Sequence, residues 1–157
     1  MARQKLITDE SGSGDSNDIV IFEGFKELEH GAWCGLTADE IGKDNLARFD
    51  ACDESATPGN GGESYPALKA RVLAARDELL GMMDVGRACA VVSHLLQVTR
   101  SMLSEALGMD VTEIAGLKIT TASITCVDYC ENTGEQIVRF QSFKPECGLE
   151  ESKDGAN

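Results

Sequence analysis

The residue best placed for chemistry is His94, which ends a short apolar run at residues 90–93 (AVVS) and is one of two histidines in the chain. An apolar run of this length is typical of a buried strand in a parallel sheet. Ligands of open parallel sheets bind beyond the carboxyl ends of the strands, where helix N-termini favour anions. The position of His94 therefore predicts contact with a phosphate group, and a structural histidine in the core is the alternative.

The segments that would position His94 follow an α/β order. Ser64 is suited to capping a helix whose apolar residues recur at three- and four-residue steps. These residues are Leu68, Val72, Ala75, Leu79 and Met83. A second helix is predicted over residues 96–107, ended by Gly108. Strands are predicted at residues 19–22, 89–92, 122–129 and 136–143. This order predicts helices packed on a largely parallel sheet.

Two shorter helices are predicted from their starting residues. Thr37 is followed three residues later by Glu40, which is the pattern of a capping box. Asp110 and Glu113 repeat the pattern before a second short helix. Between the first of these and Ser64, residues 57–62 (TPGNGG) form a loop by composition.

Composition limits the kind of protein and its partners. The 157 residues suffice for one domain, and the formal net charge of −13 disfavours nucleic acid and anionic membranes, which both need a basic patch. The chain has no run of apolar residues long enough to span a membrane. The six cysteines show no C-x-x-C spacing, so we expect free, mostly buried thiols in a reducing compartment, cytoplasmic with an organelle left open.

Four segments, in order, resemble motifs of the histidine phosphatase superfamily, the phosphoglycerate mutase-like proteins. Residues 25–37 (FKELEHGAWCGLT) resemble its L-x-E-I-x-x-G-x-W-E-G-L-T segment, and residues 58–65 (PGNGGESY) resemble its P-G-G-E-S-Y loop with a small insertion. Residues 91–94 (VVSH) resemble its V-V-S-H strand end, and residues 121–129 (TASITCVDY) resemble its N-G-S-V-T-V-L-D-Y strand. The resemblance covers residues 19–143 and implies a three-layer αβα fold with a mostly parallel sheet.

The resemblance also implies a mechanism and the residues that perform it. A histidine of an Arg-His-Gly motif attacks phosphorus, other groups stabilise the phosphoryl oxygens, and a glutamate protonates the leaving oxygen. His94 matches the second histidine and Glu27 the acid, with Glu29 as a nearby alternative. The phosphate contacts would come from the backbone N–H of Leu95, from Arg100 and from Ser64.

Two of these phosphate contacts also have simpler interpretations. Arg100 could instead be a salt-bridging arginine on a helix surface, and Ser64 could be no more than a helix cap. The implied chemistry needs neither metal nor other cofactor. Its substrate is a phosphorylated small molecule, such as a sugar phosphate or a phosphoglycerate-like compound, and mutase, sugar-phosphate phosphatase and protein phosphatase activities stay open.

The sequence departs from the family pattern in two places. It contains no Arg-His-Gly, and His30, which follows Glu29, cannot replace that motif. The step from His94 to Arg100 is one residue longer than the family's, and one residue turns a helix by ~100°. Gly-Gly after the family's histidine is Leu95-Leu96 here.

These departures lead to expectations about the chain as a whole. We expect an incomplete domain at residues 18–146 that lacks its first central strand, between disordered tails at 1–17 and 147–157. As written it would be inactive. The alternative is a non-catalytic remnant that binds phosphate or protein, and in either case the exposed sheet edge would favour self-association.

Overall fold

The computed structural model describes residues 19–53, 55–93 and 96–145. His94, Leu95 and the predicted tails at residues 1–17 and 147–157 lie outside these ranges. The described part is a mixed α/β structure with four α-helices and one two-stranded antiparallel sheet. The helices are α1 (Ala38–Ile41), α2 (Lys43–Asp50), α3 (Tyr65–Met82) and α4 (Leu96–Ala106). Single-turn or short 3₁₀ helices lie at Glu23–Phe25, Gly31–Trp33 and Val111–Gly116.

The starts of α1, α3, α4 and the Val111–Gly116 turn lie where the local sequence predicts them, whereas no sequence pattern predicts α2. Thr37 and Glu40 form a reciprocal capping box before α1, and Asp110 forms one before the Val111–Gly116 turn. Ser64 caps α3 by accepting a hydrogen bond from the Ala67 N–H at 3.4 Å. After α4 the chain reverses at Gly108, whose φ of 64° is a left-handed conformation that glycine adopts without strain.

The core lies between α3, α4 and the chain before α1. Its buried residues are Phe25, Leu28, Phe49, Ala56, Leu68, Val72, Ala75 and Val98. Three of the five residues in the predicted stripe of α3 belong to this cluster, and Leu79 packs against it from a half-buried position. Gly24 allows the close approach to α3, since a Cβ atom there would lie 2.3 Å from the Cβ of Ala75. The core therefore fixes residues 22–28 against α3.

The sheet is the hairpin predicted at the end of the chain. Strands β1 (Ile124–Tyr129) and β2 (Gln136–Phe143) pair antiparallel, with Val127 opposite Val138. The turn between them closes through a hydrogen bond from the Cys130 N–H to the Glu135 carbonyl, at 2.9 Å. The buried guanidinium of Arg76 lies 5.7 Å from the centre of the Tyr129 ring and pairs with Glu105 of α4. Gln136 also donates to Glu105, at 2.8 Å, so the hairpin is joined to both long helices.

The sheet of the described residues is the antiparallel hairpin alone, and the largely parallel sheet predicted from the sequence does not form among them. Residues 19–22 and 89–92 form no strand there, and the side chains of Ile19 and Val92 are 78% and 93% exposed. A strand exists only where a neighbour satisfies its backbone N–H and C=O groups. An apolar, β-branched composition cannot supply that neighbour, which explains why these two segments lie without strand partners among the described residues.

The cysteines and the surface also differ in part from expectation. Cys34, Cys89, Cys126 and Cys130 are free thiols, as predicted. Of the five described cysteines only Cys52 is buried, while Cys34, Cys89 and Cys130 are exposed. The prediction of mostly buried thiols is therefore wrong for these residues. Within the described ranges, no helix combines the length and the apolar character needed to cross a membrane.

Candidate phosphate-binding site

Glu27 lies in an irregular segment, two residues after the Glu23–Phe25 turn, and is half-buried. Its carboxylate Oε1 accepts a hydrogen bond from the N–H of Leu28 at 2.9 Å. Its Oε2 is buried and has no hydrogen-bond partner among the described residues. A buried carboxylate oxygen without a partner is costly, so such an atom indicates a place where a proton or a ligand is received.

Glu29, the alternative acid, has a different environment. Its carboxylate forms an ion pair with Lys26 at 3.1 Å, and the side chain is 43% exposed. The hydrogen bond and charge of Lys26, with the Gly31 N–H, hold the pKa of Glu29 below its ordinary value. A general acid must carry a proton before it can donate one. The pairing of Glu29 with Lys26 therefore opposes that role.

The loop before α3 contacts the Glu27 segment directly. The N–H of Ala32 is shared between the carbonyl oxygens of Pro58 and Gly59, at 3.2 and 3.3 Å. Gly31 is required at this contact, because a Cβ atom there would lie 2.2 Å from the Gly59 carbonyl oxygen. Gly31 of the motif at residues 25–37 is thus the point of contact with the motif at residues 58–65.

Ser64, a predicted phosphate ligand, is buried and serves as the N-cap of α3. Its hydroxyl oxygen already accepts the Ala67 N–H, as the simpler interpretation of this serine requires. The following residue, Tyr65, carries its hydroxyl towards α4, where the Gln97 side-chain amide donates to it at 3.2 Å. The N-terminal turns of α3 and α4 therefore meet at Tyr65 and Gln97.

Arg100 completes this group from the second turn of α4. Its Nε donates to the Leu117 carbonyl at 2.9 Å, and its Nη1 donates to the Gln97 side-chain oxygen at 3.4 Å. Both of these acceptors are neutral, and no described carboxylate forms an ion pair with this guanidinium. The salt bridge that was the alternative for Arg100 has no carboxylate partner among the described residues. A half-buried cation without an anionic partner is suited to binding an anion.

Both Glu27 and Arg100 act on the hydroxyl group of Tyr65 through their charges. Burial raises the pKa of the Tyr65 hydroxyl above its ordinary value, and the charge of Asp50 raises it further. The charge of Arg100 lowers the pKa of Tyr65, while Cys52 and Glu27 each raise it. Charges act this way only over short distances in a partly buried site. Glu27 and Arg100 thus shift the pKa of the Tyr65 hydroxyl group in opposite directions.

His94 and Leu95 fall in the gap between the described ranges, immediately before the first residue of α4 in the chain. Tyr65 and Gln97 were not predicted as site residues. Tyr65 is the last residue of the 58–65 loop motif, and Gln97 precedes Arg100 by three residues, a spacing that puts both on one helix face. In the described part, no three His, Cys, Asp or Glu residues are grouped so that they could hold a metal ion.

Comparison with known proteins supplies the family. The profile of the histidine phosphatase superfamily (branch 1) matches residues 5–142, which is most of the chain and includes Glu27, His94 and Arg100. A comparison with curated proteins gives no match. A match over this much of the chain establishes the relationship. The chain belongs to branch 1 of the histidine phosphatase superfamily.

Proposed function

We propose that this protein binds the phosphate group of a phosphorylated small molecule at the N-terminal end of α4. The ligands would be His94, the backbone N–H of Leu95 and the guanidinium of Arg100. The observation that carries the proposal is the bonding of Arg100, whose two described acceptors are both neutral although its charge is half-buried. A phosphate dianion would supply the missing countercharge. Family membership supports a phosphorylated ligand in general.

In this proposal Glu27 is the general acid and Glu29 is not. The buried, unpartnered Oε2 of Glu27 supports this choice, as does the ion pair that engages Glu29 with Lys26. Glu27 would give its proton to the oxygen that leaves phosphorus, so that the departing group is a neutral alcohol. Ser64 contributes by capping α3, and its backbone places the neighbouring Tyr65.

The chemistry proposed for the complete enzyme is phosphoryl transfer through phosphohistidine, as a hydrolase or a mutase. A histidine nitrogen attacks phosphorus, the ester oxygen leaves with the proton of Glu27, and water or an acceptor hydroxyl then takes the phosphoryl group. The nucleophile would come from an Arg-His-Gly motif, which these 157 residues do not contain. His30 is exposed and precedes the Gly31–Trp33 turn. We therefore expect the isolated chain to bind phosphate without turnover.

The three-layer fold with a mostly parallel sheet is part of the same proposal. It would form where a further strand pairs with residues 19–22 and 89–92, which are extended or irregular and largely exposed as described. Such a strand would satisfy their backbone groups and cover their apolar side chains. The free thiols of Cys34, Cys89, Cys126 and Cys130 support a reducing, cytoplasmic compartment for this assembly.

A non-catalytic binding protein is the second candidate, and the exposed apolar segments favour it. Without a strand to cover them, residues 19–22 and 89–92 offer unpaired backbone to a second copy of the chain. Light scattering should then show dimers or larger species whose fraction rises with protein concentration. Val92→Lys should shift them towards monomer, whereas the control Val85→Lys, at a residue that is 80% exposed, should not. A monodisperse monomer with slow amide exchange at Val91 and Val92 would contradict self-association.

Titration of the isotopically labelled full chain with inorganic phosphate tests the binding proposal. Saturable shifts are expected at the Gln97 and Arg100 amides, and Arg100→Gln should weaken the affinity about tenfold or more, because a charge-assisted contact is lost. Arg48→Gln serves as the matched control and should leave the affinity unchanged, since Arg48 pairs with Asp53 at 2.9 Å on the surface. Equal affinities for wild type and Arg100→Gln, or saturation confined to other regions, would refute the site.

A further inference from the structure

Arg71 contacts the chain immediately before Glu27. It lies on α3, and its Nη1 donates to three backbone carbonyl oxygens, those of Glu23, Gly24 and Lys26, at 3.4, 3.0 and 2.9 Å. Residues 26–30 belong to no helix or strand, so they have no regular backbone ladder to hold them. One guanidinium nitrogen thus joins the segment that carries the proposed acid to the second turn of a core helix.

Glu63 extends this arrangement to the other side of Glu27. Its two carboxylate oxygens accept hydrogen bonds from Nε and Nη2 of Arg71, at 2.9 and 2.6 Å. Its backbone N–H donates to the carbonyl oxygen of Glu29, at 2.9 Å. The chain is therefore fixed before Glu27 by Arg71 and after it by Glu63, and these two residues are bound to each other.

The pair has the properties of a rigid connection. The side chains of Arg71 and Glu63 are only 29% and 15% exposed, and a planar guanidinium fits a carboxylate with two parallel hydrogen bonds. The hydrogen bonds with Glu63 hold the pKa of Arg71 above its ordinary value, and the charge of Glu27 acts in the same direction. Glu27 is thus close enough for its charge to be felt at the guanidinium without being bonded to it.

We infer that Arg71 and Glu63 are positioning residues that hold the Glu27 carboxylate in the site. The inference rests on the proposed role of Glu27 as the acid. In it, Arg71 acts through the arrangement of its guanidinium N–H groups as well as through its charge. A lysine could keep the charge near Glu63, but a single ammonium cannot reach Glu63 in two places and three carbonyl oxygens as well. The charge-conserving variant therefore separates positioning from simple ion pairing.

The test uses magnetic resonance of the full chain and reads Glu27 directly. The two signals are the side-chain carboxyl carbon of Glu27 and the amide of Leu28, which is bonded to Glu27 Oε1. In Arg71→Lys we expect both signals to move, and amide exchange at Leu28 to speed up about tenfold while exchange at Leu68 and Val72 is unchanged. Glu63→Gln should move the same signals less, and the control Arg48→Lys should leave them in place.

Two results would overturn the inference. Unmoved Glu27 and Leu28 signals in a folded Arg71→Lys protein would show that the segment is held by other contacts. Exchange that accelerates equally at Leu28, Leu68 and Val72, or a loss of the folded spectrum, would show that Arg71 stabilises the domain as a whole. Phosphate titration of the same samples is read at Gln97 and Arg100, so failure of phosphate binding is distinguished from failure of the positioning role.

Discussion

Strand β1 of the hairpin and the segment leading to His94 have similar compositions but different backbone structures. Residues 124–129 (ITCVDY) and 89–93 (CAVVS) are both rich in β-branched or apolar residues. The first pairs with β2, which follows after a short turn, whereas the second forms no strand within the described ranges. A hairpin partner is local in sequence, and a parallel partner must come from a distant part of a chain. Strand formation here depends on the partner more than on composition.

The strongest test of this difference supplies the missing partner. A family segment that carries a strand and an Arg-His-Gly motif would be fused to this chain. The added strand should pair with residues 89–92, and the fusion protein should have phosphatase activity. His94→Ala should then lower kcat by orders of magnitude, since groups that act as a unit in covalent catalysis fail together. Hydrolysis of p-nitrophenyl phosphate at pH 5 to 8 measures this, with the unfused chain expected at background. Robust turnover by the unfused chain would contradict the proposal and indicate another nucleophile.

Amide exchange should separate the two regions without any change in sequence. Asp128 and Ile137, opposite each other in the hairpin, should exchange ~100-fold or more slowly than Val91 and Val92. Hydrogen-bonded pairs alternate along an antiparallel ladder, so these two amides pair again two residues beyond the bond from Cys130 to Glu135. The measurement is exchange followed by magnetic resonance at neutral pH and low protein concentration, where association is minimal. Equal protection of both regions would mean that residues 89–92 are paired in solution.

Truncation of apolar side chains should give unequal losses of stability. Leu68→Ala removes a side chain that is 1% exposed, so it should lower the free energy of unfolding by about 2–5 kcal/mol. Val92→Ala alters a side chain on the surface and should change it by less than about 0.5 kcal/mol. Urea unfolding of both variants checks this. A loss at Val92 that matched the loss at Leu68 would place Val92 in a core.

The two tyrosines give the smallest expected effect. Burial raises the pKa of Tyr65 at the site and of Tyr129 in the hairpin, where Arg76 opposes the rise. Because the folded state favours the neutral phenol, this stabilising contribution is complete below the ordinary pKa and is lost as the pH rises through the raised one. Ultraviolet titration should therefore show tyrosinate forming later than in the unfolded chain. Tyr65→Phe and Tyr129→Phe assign the two steps, and titration at the unfolded value would show that the rings are open to water.

Local features of the fold could be predicted because their partners lie a few residues away. The capping boxes at Thr37 and Asp110, the cap at Ser64 and the glycine after α4 each depend on neighbouring backbone groups, and the structure confirms them. The hairpin was predictable for the same reason. The family could be predicted too, because short motifs keep their order along the chain whether or not every strand is paired.

The contacts of the candidate site could not be predicted in the same way. The sequence could suggest Glu27, but it could not distinguish it from Glu29, because their difference comes from an ion pair with Lys26 and from a buried oxygen. It gave no sign that Arg71, on a helix forty-four residues after Glu27, bonds to the carbonyl oxygens before it. His94 and Leu95 stay predictions, since they lie outside the described residues.

The sequence by itself determined the caps, the turn of the hairpin, the amphipathic face of α3 and the family. Each of these depends on residues that are close together in the chain or on the order of short motifs. Only the tertiary structure decided, among the described residues, which carboxylate oxygen has no partner, which arginine has neutral acceptors and which apolar segments have no strand beside them. The physical reason is that burial, charge pairing and backbone pairing between distant segments are properties of their approach in space. Spacing along the chain does not fix that approach.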